Sequence, residues 1–190
     1  MSLIEQETYQ LKNGLNVIIR NAHPRDAVQI IDVNLKIVNE KLYMLRTPGE
    51  TFYTPKAEKE KIAQYELSDG SLYIVAETEG KVVGYLDFEN GGFKRTKHSG
   101  SFSVYIIKEF RRMGIGEILI NTLIEWAQST DLIEKITLAV FSTNENAQKL
   151  YRKLGFKEEG RCPKDMKLED DTYIDSVLMY RFVEKSDKTV

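Results

Sequence analysis

The sequence predicts an α/β fold, a mixed α+β sheet with parallel strands in its middle and helices on its faces. Two observations carry this. Between residues 101 and 154, segments of strand character alternate with segments of helical character, the order that brings parallel strands side by side. One of these strands, "KITLAVF" at 135–141, is short and nearly all apolar, as expected of an interior strand.

Each element has its own local reason. "LNVIIRNA" is rich in β-branched residues and reads as the first strand. In "HPRDAVQIIDVNLKIVNEK", Pro24 and Asp26 mark a helix start, and Val28, Ile31, Leu35 and Val38 recur at helical spacing. "YMLRTPGETFYTP" is a loop, and Thr54-Pro55 opens a second helix through "KAEKEKIAQYEL". "SLYIVAE" and "KVVGYLDFE" are strands around the turn "TEGK", followed by the loop "NGGFKRTKHSG" and the strand "SFSVYII". "GEILINTLIEWAQS" is a helix burying Ile118, Leu119, Leu123 and Trp126. "TNENAQKLYRKLGF" is a second amphipathic helix, ended by Gly155. "KEEGRCPKDMKL" and "TYIDSVLMYRFVE" are two strands around the acidic turn "EDD". The order is β, α, α, three β, α, β, α, two β.

At 190 residues the chain suits one domain over 1–190, with a core from about 15 to 184 and short ends. Lys+Arg total 27 against Asp+Glu 29, a balance without the basic footprint of a nucleic-acid binder. No apolar run reaches membrane-span length and the N-terminus lacks a signal-peptide core, so the expectation is a cytoplasmic protein with no membrane partner. One cysteine, Cys162, and two histidines give no zinc spacing, so no metal is expected.

The chemistry concentrates in "FRRMGIGEILINTL". A strand runs into a short turn holding Arg111, Arg112, Gly114 and Gly116, and a helix leaves it. Such a helix start aims unpaired N–H groups and partial positive charge into the turn, which suits a phosphate or a diphosphate. Gly116 is followed by Glu117 and Ile118, so this is not a Walker loop, and Leu119 stands where a dinucleotide fingerprint needs its third glycine. Two glycines alone fit a tight strand–helix connection equally well.

The motifs around this turn resemble the GCN5-related N-acetyltransferase (GNAT) family. Arg111-x-x-Gly114-x-Gly116 is similar to its Gln/Arg-x-x-Gly-x-Gly/Ala signature. "NENAQKLYRKLGF" matches a second signature with Asn144, Ala147, Leu150, Tyr151, Gly155 and Phe156, about thirty residues further on. The resemblance covers nearly the whole chain and implies about seven strands and four helices, with central parallel strands that splay apart. It also implies acetyl-CoA as cosubstrate. Backbone amides from Arg111 through Arg112, Met113, Gly114 and Ile115 to Gly116 would hold its diphosphate, with the two arginines adding charge. Backbone groups of Val104, Tyr105 and Ile106 would pair with the pantetheine arm, and one amide would polarise the thioester carbonyl. Asn144 would hydrogen-bond the coenzyme, and Tyr151 would be the general acid for the departing thiolate.

The implied reaction is direct acetyl transfer to a primary amine, on a small molecule, a polyamine or a protein N-terminus. It needs a neutral amine, a polarised carbonyl and a proton for the thiolate. Several relatives place a glutamate base near the end of the strand before the Asn; Ala139 stands there and cannot take a proton. Water, or one of Asp87, Glu89 and His98, is the alternative proton acceptor, and Tyr43, Phe52 and Tyr53 are candidate walls of the acceptor pocket. Two other readings stay open: a non-catalytic acyl-CoA-binding regulatory module on the same fold, and a nucleotide-binding protein. The C-terminal edge strands are open to pairing between subunits as a homodimer.

Overall fold

The computed structural model describes residues 3–50 and 54–185. The elements are β1 (Glu7–Gln10), β2 (Asn16–Asn21), α1 (Ala27–Val38), α2 (Pro55–Leu67), β3 (Ser71–Thr78), β4 (Lys81–Asn90) and β5 (Ser99–Ile106). They continue as α3 (Ile115–Ser129), β6 (Lys135–Phe141), α4 (Glu145–Lys153), β7 (Lys157–Lys167) and β8 (Tyr173–Phe182). One sheet joins all the strands in the order β1-β2-β3-β4-β5-β6-β8-β7. Among the described residues only the β5–β6 contact is parallel, and the other pairings are antiparallel.

Two features differ from the sequence expectation. An eighth strand, β1, pairs Glu7–Gln10 with β2. Its sequence, ETYQ, is short, polar and mostly exposed, so neither periodicity nor burial announces it. The second difference is the phase of α1. Val28 is 60% exposed and Leu35 43%, whereas Ala27, Ile30, Val33 and Ile37 point inward beside Ile31 and Val38. The helix is apolar on more than one face, so spacing alone does not choose between stripes. The anchor before it decides. Asp26 is buried, its carboxylate accepts from both terminal nitrogens of Arg20 at 2.6 and 3.0 Å, and it also caps the N–H of His23 at 2.8 Å.

Ring and polar contacts assign the helices to faces. Tyr73 and Asp87 are register partners on one face, where Tyr73 donates to Glu58 of α2 at 2.7 Å and Tyr85 donates to Asn34 of α1 at 2.6 Å. Phe88 points the other way and meets Trp126 of α3, with ring centroids 5.6 Å apart. Its cross-strand partner Phe102 meets Tyr151 of α4. So α1 and α2 cover one face, and α3 and α4 the other. Between the layers lies a continuous apolar core.

Candidate functional site

The site begins where the parallel contact fails. β5 and β6 pair only at Ser99↔Lys135, Gly100↔Ile136 and Ser101↔Thr137. Beyond that seam both strands run on, β5 still bonded to β4 as far as Ile106 and β6 still bonded to β8 as far as Phe141. They splay at their carboxyl ends, as the family resemblance implied.

The ladder with β4 shows which backbone groups line the gap. Ile107 N–H donates to Val83 C=O at 3.0 Å and Gly91 N–H to Ser99 C=O at 3.0 Å. Antiparallel pairs alternate between bonded and non-bonded. The odd-numbered residues of β5 therefore spend their backbone groups on β4, and the even-numbered Val104 and Ile106 turn theirs toward β6. This corrects the expectation for Tyr105. Its backbone belongs to the β4 ladder, and its ring packs 5.0 Å from that of Tyr85. The Ile106 carbonyl accepts from Arg111 Nε at 2.8 Å, so Val104 carries the open groups of this edge together with the Ile106 N–H.

A short 3-10 turn at Lys108–Phe110 leads into the phosphate-type turn. Arg112 is left-handed at φ 63° and Gly114 follows at φ 101°, N-capping α3. A Cβ on Gly114 would meet nothing within 4 Å, so a ligand has room there, while its backbone angle is one that L side chains rarely adopt. Gly116 serves packing: a Cβ there would lie 3.3 Å from Ile106 Cδ1 and 3.6 Å from Leu150 Cδ2. Ile118 N–H makes the first helical bond, to Gly114 C=O at 3.1 Å. The N–H groups of Ile115, Gly116 and Glu117 precede it and have no intrahelical acceptor. Ile115 is buried, and Met113 packs partly buried against the core with its sulfur 3.4 Å from Asn13 Nδ2.

The two arginines part company. Arg112 is exposed. Arg111 is held inward, its two terminal nitrogens on the Glu40 carboxylate at 2.6 and 2.7 Å. Its backbone N–H leans on Lys108 C=O at 3.3 Å. The charge expected of Arg111 toward a diphosphate is thus neutralised by Glu40, which leaves Arg112 as the cation of the turn. No motif or spacing in the sequence links Glu40 to Arg111, so sequence reasoning missed it.

Across the gap stands α4. Asn144 is its N-cap, Oδ1 accepting from Ala147 N–H at 3.2 Å, which leaves the side-chain NH2 to donate elsewhere. Buried Gln148, also missed, donates to Phe141 C=O at 3.3 Å and Ser142 C=O at 2.9 Å, fixing the β6–α4 connection. The helix ends in a Schellman motif: Phe156 N–H bonds Tyr151 C=O and Gly155 N–H bonds Arg152 C=O, both at 3.0 Å, with Gly155 at φ 83°. This is what the Leu-Tyr…Gly-Phe spacing builds. It clamps the Tyr151 ring between Phe102, at 5.9 Å, and Phe156, at 6.1 Å. Tyr151 therefore sits against Phe102, the first residue of β5 beyond its pairing with β6. Burial, and then the neighbouring Tyr105, push its hydroxyl up to about 12.

The proposed proton acceptors are scattered. Ala139 is exposed, on the face of β6 away from its buried Leu138 and Val140. Asp87 lies opposite Ser103, beside the unpaired stretch, and is ion-paired with Lys61 at 3.1 Å. Glu89 accepts from Tyr65 OH at 3.4 Å. His98 precedes β5 at the far end from the gap, its carbonyl accepting from Glu134 and Lys135 N–H, and is not part of the site. Tyr43 is half exposed, and Phe52 and Tyr53 lie outside the described residues. Among the described residues, no group of His, Cys, Asp and Glu side chains is disposed to hold a metal ion, and no helix is long and apolar enough to cross a membrane.

Known proteins share this architecture. Residues 39–156 match the acetyltransferase (GNAT) family. An N-alpha-acetyltransferase of Sulfurisphaera tokodaii is 30% identical over 160 residues, 80% of this chain and 87% of that protein. An L-amino acid N-acetyltransferase of Escherichia coli, AaaT, is 26% identical over 167 residues, 87% of this chain and 97% of that protein. A GNAT acetyltransferase structure from Streptococcus pneumoniae superposes with a TM-score of 0.85 at 26% identity, covering 88% of this chain and 99% of that one. The structure of yncA from Salmonella typhimurium with its cofactor acetyl-CoA has a TM-score of 0.79 at 20% identity, covering 92% and 98%.

Proposed function

The chain belongs to the GNAT family of acetyltransferases, and from that premise we propose that it transfers acetyl from acetyl-CoA to the α-amino group of a peptide or protein N-terminus, with Tyr151 as proton donor. The observation that carries the proposal is the gap between β5 and β6, with an open backbone edge along β5, Tyr151 packed against Phe102 beside it and the N–H groups of a helix start beyond the end of β5.

Those features fit the cosubstrate. Val104 and Ile106 would take its pantetheine arm as one more strand. The N–H groups at the start of α3, with Arg112, would hold the diphosphate, and the Asn144 NH2 would donate to the coenzyme. Acetyl-CoA, when bound, supplies an acetyl group activated as a thioester. An N–H of the β5 edge polarises the carbonyl, and the Tyr151 hydroxyl donates to the sulfur as charge develops there. With its pKa near 12, above the thiol value of about 8.5, Tyr151 keeps its proton throughout neutral pH.

Two considerations support an α-amine. The relatives named above include an N-alpha-acetyltransferase and an L-amino acid N-acetyltransferase. The second is Ala139. With no carboxylate at that place, the acceptor should arrive already neutral in useful amount. A peptide α-amine, with a pKa of about 7.8, is about one quarter neutral at pH 7.4, whereas a lysine-like amine is neutral about once in a thousand. A free amino acid falls between, because its own carboxylate steadies the ammonium.

The test is initial-rate acetylation of matched peptides presenting either an N-terminal α-amine or only a lysine ε-amine, followed by thiol release. We expect selective α-acetylation with kcat/KM rising from pH 6.5 and levelling near the acceptor's own pKa, since Tyr151 does not titrate in that range. Preference for the ε-amine, or a plateau independent of the acceptor's pKa, overturns the acceptor assignment. Coenzyme binding with no transfer to any amine favours the second reading that Ala139 allows, a regulatory acyl-CoA-binding module.

A further inference from the structure

Glu40 and Lys41 are consecutive residues just past α1, and each holds a different part of the molecule. Glu40 takes both terminal nitrogens of Arg111, the first residue of the phosphate turn, while Arg111 Nε takes the last carbonyl of β5. Lys41 Nζ reaches both oxygens of Glu169, at 3.1 and 3.2 Å, in the connection between β7 and β8. Lys41 is left-handed at φ 54°, and the N–H groups of Glu40 and Lys41 bond back to Ile37 and Val38 carbonyls at 3.1 and 3.0 Å.

The topology turns these contacts into a ring. β8 lies beside β6, and Phe141 at the carboxyl end of β6 is opposite Ser176 near the start of β8. The β7–β8 connection therefore projects from the same end of the sheet as the open gap. From the end of β5 the path runs through Arg111, Glu40, Lys41 and Glu169, then back along β8 to β6. Both ion pairs therefore stand at the open end of the gap, its mouth.

We infer that Arg111 and Glu40 are positioning residues that couple the phosphate turn to this mouth, and that the Lys41–Glu169 contact is the latch an acceptor opens. The inference rests on the coenzyme and acceptor reading above. The two links differ in strength. The Arg111–Glu40 pair is bidentate and half-buried, the arrangement in which an ion pair persists. The Lys41–Glu169 pair is solvated on both sides, so it is weak and screened by salt. One pair holds while the other yields. Filling the phosphate turn steadies Arg111 and Glu40, and through them sets the position of Lys41.

Hydrogen exchange with and without CoA, beside calorimetric CoA affinity and acceptor KM, tests this. In the parent protein, CoA should slow exchange at 111–117 and also at 39–50 and 168–172. In Glu40→Gln the protection should stop at 111–117. CoA affinity should stay within about threefold while acceptor KM rises about tenfold, within the span typical of coupled sites. Arg111→Ala should reproduce this pattern, and the double variant should be no worse than either single, because both break one contact. Arg112→Ala should do the opposite, weakening CoA with loop exchange unchanged once CoA is saturating. Unaltered spread of protection in Glu40→Gln, or additive losses of CoA affinity in the double variant, overturns the inference. If no amine accepts acetyl, the exchange pattern with CoA still decides it, so failure of the coupling is distinguishable from failure of the acceptor assignment.

Discussion

Replacing Tyr151 by Phe removes one oxygen from a side chain that is 8% exposed and leaves the ring where it was. Its packing on Phe102 and Phe156, at 5.9 and 6.1 Å, survives, and such ring pairs contribute about 0.5–1.5 kcal/mol each. The helix-end hydrogen bonds at Tyr151 and Arg152 are made by the backbone and are untouched. Stability should therefore change by less than about 1 kcal/mol, or a melting shift of about 2–4 °C at this chain length. CoA affinity should also hold, since the proposed contacts come from β5 and the α3 start. The chemical step should not hold. A general acid contributes about 10²- to 10⁴-fold, equivalent to about 3–5 kcal/mol of barrier. With its pKa near 12 the parent hydroxyl is fully protonated at every pH from 6 to 9, so the loss should be constant across that range. The assay is single-turnover transfer to an N-terminal peptide amine, with calorimetric CoA affinity and a thermal melt on the same preparation. A variant that binds and melts normally yet transfers at the parent rate refutes the reasoning and makes Tyr151 a core aromatic.

Gly114→Val forces a branched residue to φ 101° and fills space that is otherwise open; we expect CoA affinity to fall at least tenfold with the fold retained, checked by calorimetry and circular dichroism. Asp26→Asn should destabilise by about 3 kcal/mol in urea at pH 7, because it breaks a buried pair while Arg20 keeps Glu77 at 2.7 Å. Burial works against the Asp26 charge, but hydrogen bonds from Arg20 and the His23 N–H outweigh it and hold the carboxyl below its ordinary value. Its stabilisation is therefore complete above the unfolded carboxylate pKa of about 3.9 and is lost as pH falls below that, so the gap between parent and Asp26→Asn should close on acidification.

How much of this was legible beforehand depended on whether the signal was local. The turn at Gly114, the cap at Asn144 and the helix end at Gly155 are each written within a few residues, and each forms in the structure. The splay was an implication of the family resemblance rather than of either strand's own residues, and the three-pair register bears it out. β1 escaped because a polar edge strand is defined by its neighbour rather than by its own residues. The face of α1 escaped because the choice between two apolar stripes is made by Arg20 and Asp26, outside the helix. The role of Tyr105 turned on which residues of β5 bond β4, a parity that no side chain announces. The Glu40–Arg111 pair joins positions 71 residues apart and is visible only once the chain has folded.

The three-pair seam between β5 and β6 has a thermodynamic consequence for the sheet itself. Strands β1 to β5 form one raft and β6 to β8 another, each held by long antiparallel ladders and welded to the other along a short line at one end. A ligand lying in the gap, as proposed, would act as mortar between the rafts and so contribute to folding as well as to chemistry. At a free concentration a hundred times its dissociation constant, it would raise stability by about 2.7 kcal/mol. The protein would then melt, exchange its amides and resist proteolysis in step with the supply of its own acetyl donor, and the rafts should loosen along the weld when that supply falls.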